Sequence, residues 1–206
     1  MFRFISTRKI SCSVAVLAFL ILSPLEARSQ VKIENSEAEH FVQTADGVPA
    51  LCGIDFTVIF SDHLTSISGN KTGSRGSLSF STDKGNFGML LKVSGIDFKN
   101  LPSSKPTKFN VANASLQIGG QSYVPEKFGC EDPVDFCGAL WLPKTIDIYS
   151  AILTNKEITL SFNRKAGDLD YRVPISRDVP PSDRENNRVF GNCMDVMVKK
   201  SIDALK

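Results

Sequence analysis

The sequence predicts a mainly β chain: a single-domain β-sandwich or partly open barrel with a C-terminal packing helix. Three observations predict it. Apolar and polar residues alternate in short segments, the period of a strand with one buried face. Gly, Asn, Asp and Pro separate those segments at short intervals. Helical spacing takes over only in the last stretch of the chain.

The elements follow in order. Arg3, Arg8 and Lys9 precede an apolar run from Ile10 to Leu22, and Ser23-Pro24 through Ser29 supplies a break with small residues. Residues 1–29 therefore read as a signal peptide, and residues 30–206 as one mature β-rich domain. The apolar run is short of the ~20 residues a helical bilayer span needs, so no integral membrane insertion is expected after its removal. Val31 to Ala50 is polar and mixed, suited to a flexible arm, a short strand or an edge segment. Ile54, Phe56, Val58 and Phe60 then alternate as the inner face of a strand. Ser61 to Ser74 holds Gly69-Asn70 and Gly73 and reads as a loop. Leu78 and Phe80 mark a second strand. Phe87, Met89, Leu91 and Val93 mark a third, with Asp83 to Asn86 between them as a hairpin turn.

Gly95 to Lys108, with Pro102 and Pro106, reads as a surface crossover. Ala112, Ala114, Leu116 and Ile118 alternate up to Gly119-Gly120, and Gln121 to Val124 returns as a short strand. Cys137 to Leu142 forms a compact apolar element. Ile158, Leu160 and Phe162 give one more strand, and Leu169, Tyr171, Val173 and Ile175 another, where Pro174 favours a sheet edge. Ser182 to Glu185 has the spacing of a helix capping box, and Val189, Phe190, Cys193, Val196, Met197 and Ala204 recur at helical spacing behind it.

Charge and cysteines narrow the function classes. The full chain carries 24 basic and 22 acidic residues. Removing residues 1–29 takes away Arg3, Arg8, Lys9, Arg28 and Glu26, which brings the mature chain to about −1. Such a balance gives no global case for nucleic-acid binding. Cys12 leaves with the leader; Cys52, Cys130, Cys137 and Cys193 remain, an even set suited to two disulfides in an oxidising compartment. Three pairings are possible. Cys130–Cys137 with Cys52–Cys193 is preferred, because the first staples a tight loop around Asp132-Pro133 and the second ties an early strand to the terminal helix.

No catalytic constellation stands out. The two histidines are His40 and His63, no nucleophile elbow or HExxH motif occurs, and the cysteines are better used as disulfides than as zinc ligands. Gly69 to Gly73 lacks the phosphate-loop spacing. No catalytic residue, cofactor or metal site is assigned, although Glu131, Asp132 and Asp135 offer carboxylates for a calcium ion. Asp55, Asp62 and His63 are the residues on which a carboxylate-dependent hydrolase would rest. The most suggestive group is Tyr123, Phe128, Phe136, Trp141 and Tyr149, around the small cysteine loop. Aromatics there offer amphipathic contact area to a partner, with Glu126, Lys127, Glu131 and Asp132 as a polar rim.

Residues Ala114 to Gly120, Phe128-Gly129-Cys130, Phe136-Cys137-Gly138-Ala139 and Ile158 to Phe162 carry a resemblance. This stretch, residues 111–176, resembles the second half of exported bacterial proteins of the invasion-associated locus B family. The first half departs from that family's tryptophan- and cysteine-marked opening. The resemblance implies a periplasmic or surface-associated, nonenzymatic protein involved in bacterial envelope physiology or host interaction; with the aromatic cluster, it makes an envelope or host protein the expected partner. A hydrolase with a carboxylate-rich cleft and a purely structural envelope component are the competing expectations.

Overall fold

A computed structural model describes residues 31–62, 71–83, 86–98, 105–141, 143–154, 157–167, 171–175 and 184–204. Residues 1–29, read as a signal peptide, and His63, Leu169 and Ser182 of the expected capping box lie outside these residues. The elements are β1 (Val31–Ala45), β2 (Val48–Asp62), β3 (Lys71–Asp83), β4 (Asn86–Phe98), β5 (Thr107–Phe109), β6 (Asn113–Ile118), β7 (Gln121–Tyr123), β8 (Glu126–Phe128) and β9 (Phe136–Trp141). After them come α1 (Lys144–Leu153), β10 (Ile158–Asn163), β11 (Tyr171–Ile175) and α2 (Arg184–Ala204).

Two antiparallel sheets enclose the core. Sheet A has seven strands in the order β1-β2-β3-β4-β9-β8, with β5 also paired to β4; sheet B has four, in the order β11-β10-β6-β7. The predicted sandwich-like β class holds, and the sheets do not close into a barrel. The inward positions are those of the alternating patterns: Ile54, Phe56, Val58 and Phe60 on β2, Phe87, Met89, Leu91 and Val93 on β4, and Leu160 and Phe162 on β10 are all buried. Pro174 lies on the edge strand β11, opposite Thr159, as its missing N–H requires.

Two stretches differ from expectation, and a third is decided among its alternatives. Val31 to Ala45 is a 15-residue edge strand, the edge reading and not an arm. It is turned into β2 by Asp46 and Gly47, whose φ values of 52° and 75° are those of a tight hairpin turn with two left-handed residues. Its inward side is covered by α2, where the His40 ring stacks on Phe190 with centroids 4.4 Å apart. Lys71 to Ser74, read as loop, belongs to β3. Its inward residues Thr72 and Ser74 are buried but polar, so the apolar alternation that marks a strand is missing there. Helix α1 is an addition to the expected elements; Ile148, Ala151 and Ile152, at helical spacing, are its buried face.

Helix α2 packs on β1, β2, β3 and β4 through Phe190, Cys193, Met194, Met197 and Ser201. Val189 falls outside that stripe and is 41% exposed, and Met194 takes its place in the core. Cys193 is bonded to Cys52, and Cys130 to Cys137, the preferred pairing of the four cysteines.

A polar clasp joins the sheets at one end. Arg164, just beyond β10, donates to both carboxylate oxygens of Asp97 on β4 and, through Nε, to the Tyr171 hydroxyl at 3.3 Å. Its guanidinium lies 3.8 Å from the centre of the Phe109 ring. Bidentate pairing and ring stacking both use the planar guanidinium, so lysine would not replace it. Among the described residues, no helix is long and apolar enough to cross a membrane.

Candidate contact surface beside the small disulfide loop

The outward face of sheet A near its β8 edge follows from the alternation of β9. Phe136, Gly138 and Leu140 point with the core-facing residues of β4, which leaves Cys137, Ala139 and Trp141 on the other side. Trp141 pairs across the ladder with Gly88, and the indole lies over that glycine where a Cβ would otherwise stand. The side chain is thus held flat on the strand, 43% exposed, although a lone tryptophan more often reads as core. An aromatic covering a cross-strand glycine compensates for the missing side-chain packing.

Leu90, opposite Ala139, and Phe128, opposite Cys137 on β8, are the other large apolar residues here, 41% and 42% exposed. At the far edge of the sheet Phe41 likewise covers a cross-strand glycine, Gly53. Lys92 stands opposite Cys137, and Glu126 opposite Ala139, so charged side chains border the apolar strip.

The loop that carries Cys130 is fixed from below. Lys108 Nζ on β5 donates to Asp132 Oδ2 at 2.8 Å and to Asp135 at 3.2 Å, while Lys92 Nζ lies 3.9 Å from Asp135. The Asp135 side chain is 1% exposed, so these cations compensate a carboxylate that has left water. Asp132 also accepts the Val134 N–H at 3.2 Å, and the Val111 N–H donates to the Val134 carbonyl at 2.9 Å. Glu131, Asp132 and Asp135 do not form a calcium site: Asp132 and Asp135 hold Lys108. Among the described residues, no group of three or more His, Cys, Asp or Glu is placed to hold a metal ion.

The hydrogen bond from Lys108 lowers the Asp132 pKa, and the same bond raises that of Lys108. For a carboxylate with a depressed folded pKa, the linked stabilisation is full above the unfolded value and is lost as pH falls through the folded one. The loop is therefore expected to stay pinned at neutral pH and to loosen only on acidification below the ordinary aspartate range. Amide exchange of Val134 and Asp135 followed against pH checks this. Lys108→Met should shrink the acid-dependent step to the part that the Val134 N–H bond supplies, and an unchanged step in that variant would refute the assignment.

The five aromatic candidates separate. Tyr123 and Phe136 are core residues, 5% and 3% exposed. The Tyr123 hydroxyl donates to Asp147 Oδ2 at 3.3 Å, and burial raises its pKa. Tyr149 is half-buried against the Phe80 ring, and burial raises its pKa too. Phe128 and Trp141 remain to offer contact area. Leu90 joins them unannounced, although its place between Met89 and Leu91 already puts it on the outward face of β4. Of the hydrolase residues, Asp55 stands on the open face of sheet A, opposite Glu39 and Ser77, and is exposed.

No protein-family model, curated protein or solved structure matches this chain at a significant level.

Proposed function

We propose that this chain is an exported, nonenzymatic binding protein of the bacterial envelope or surface, periplasmic or secreted, which presents the outward face of sheet A to a protein partner. One observation carries the reading: Phe128, Leu90 and Trp141 are exposed together on strands that a disulfide and an ion network hold in place. Rigid, partly exposed aromatics beside charged residues are the composition of an interface centre and its rim. The two disulfides fit an oxidising compartment. The resemblance of residues 111–176 to the invasion-associated locus B family supports an envelope or host protein as the partner.

A photo-crosslinking residue placed at Leu90 in the native cells, with the same probe at Asp203 on α2 as control, tests this. The Leu90 probe is expected to give a discrete cross-linked species. Trp141→Ser and Phe128→Ser in the same chain should weaken it by about tenfold or more, as loss of interface aromatics does. Equal cross-linking from both probes, or none from either, would remove the surface from consideration.

A further inference from the structure

The outward face of sheet B has a different character. Along β6 and β10 the paired residues on that side are Asn113 with Asn163, Ser115 with Ser161, and Gln117 with Thr159. Their neighbours Ala114, Leu116, Ile118, Leu160 and Phe162 fill the core. Two depressions lie on consecutive rows of this face. One of about 190 Å³, where β6 parts from the β7–β8 connection, is lined by Asn113, Ser115, Ser161 and Lys127 together with the apolar Ala114, Val124, Pro125 and Phe136. One of about 410 Å³ is lined by Gln117, Thr159, Glu157, Gly119 and Gly120. Together they follow β6 from Asn113 to the Gly119-Gly120 turn, roughly 20 Å at the rise of a strand.

Ser161 points to a ligand. It is 2% exposed, it lines the smaller depression, and its hydroxyl has no hydrogen-bond partner among the described residues. Buried hydroxyls are nearly always paired, and leaving one unpaired costs free energy that a bound polar group would return.

The chemistry of the row selects the ligand. Asn, Gln, Ser and Thr side chains each donate and accept, so they match a ligand whose adjacent groups do both, as ring hydroxyls do. An extended peptide would instead use the open backbone edge of a sheet, and this surface offers side chains on a sheet face. Two cations flank the Ser115–Ser161 row from opposite edges: Lys127, on β8, lines the smaller depression, and Arg172 stands opposite Ser161 on β11. Glu157 lies beside the Gly119-Gly120 turn.

We propose that the outward face of sheet B binds a short oligosaccharide. Its hydroxyls lie along the Asn113–Ser115–Gln117 and Thr159–Ser161 rows, and acidic sugar substituents are held by Lys127 at one edge and by Arg172 at the other. This site is independent of the contact surface on sheet A.

Titration of the ¹⁵N-labelled, oxidised protein with trigalacturonate, cellotriose and tetra-alanine tests the proposal. Both saccharides are expected to shift amide signals in residues 113–117 and 158–161. Trigalacturonate should bind several-fold more tightly at low salt, with the difference shrinking as salt screens it. Gln117→Ala and Ser161→Ala should each weaken both saccharides by about tenfold, and Arg172→Gln should reduce the preference for the acidic one. A Ser161→Ala variant that folds normally and binds unchanged would overturn the role of that hydroxyl. Shifts with tetra-alanine alone, or none on this face at millimolar saccharide, would overturn the proposal.

Discussion

Replacing Cys52 and Cys193 together by alanine is expected to lower stability by about 5 kcal/mol, twice the loss on replacing Cys130 and Cys137. The two bridges close loops of very different size, with sequence separations of 141 and 7. The chain-entropy relation then gives about 5 and about 2.5 kcal/mol, as the unfolded chain recovers the freedom each bridge removes. The long bridge also anchors α2. Cys193 is on its buried stripe, and without the bond the helix is held by Phe190, Met194 and Met197 and by the hydrogen bond from Lys200 to the Pro49 carbonyl. Against a typical domain stability of 5–15 kcal/mol, the first variant is expected to be marginal or unfolded, and the second folded with a loosened loop. Guanidinium unfolding of the two double variants beside the oxidised parent measures both losses. A larger loss from the short loop would contradict the account.

Phe162→Ala is expected to cost about 3–5 kcal/mol, as large-to-small changes at buried phenylalanines do. Phe162 is 1% exposed and stands where the two sheets meet. Its ring centre is 5.2 Å from Tyr171, 6.3 Å from Phe60 and 6.5 Å from Phe109. Phe109 in turn supports the Arg164 guanidinium that binds Asp97, so a cavity at Phe162 weakens the polar clasp as well as the apolar contact. Phe162→Leu conserves much of the volume and should cost about 1–1.5 kcal/mol. Phe128→Ala, on the open face of sheet A, should stay within about 0.5 kcal/mol of the parent. Chemical denaturation of the three variants checks the order. A change below about 1 kcal/mol for Phe162→Ala would show that the sheets do not depend on this cluster.

The residues show why some of this was legible in advance. On β2, β4 and β10, every inward position from Ile54 to Phe60, Phe87 to Val93 and Ile158 to Phe162 is apolar, so period and burial agree. The strand β1 was obscured because Ser36 and His40 stand among its inward positions while Glu37 and Glu39 face outward. Yet Asp46-Gly47 is a strong hairpin signal and would have revealed the turn. The first half of β3 hid for a related reason. Thr72, Ser74 and Gly76 are small where neighbouring rings need room, and a Cβ at Gly76 would strike the Lys92 carbonyl oxygen and the Phe56 ring. The contact surface was half legible. Alternation in β9 separates Trp141 from Phe136, but the exposure of Trp141 depends on Gly88 as its partner, and a pairing register is not written in either strand alone.

The spacing of the cysteines also sets an order of events in time. A chain made from its N-terminus presents Cys52 long before Cys193 exists, and Cys130 and Cys137 arrive in between. Oxidation in order of emergence would join Cys52 to Cys130, a cross-link that the finished fold does not contain. The native pairing therefore needs either rapid docking of β8 and β9, which brings Cys130 to Cys137 first, or later exchange of the early cross-link through a mixed disulfide. On the first route, formation of that small hairpin would act as a timing device: by consuming the two intermediate thiols, it would keep Cys52 in reserve for the last helix to be made.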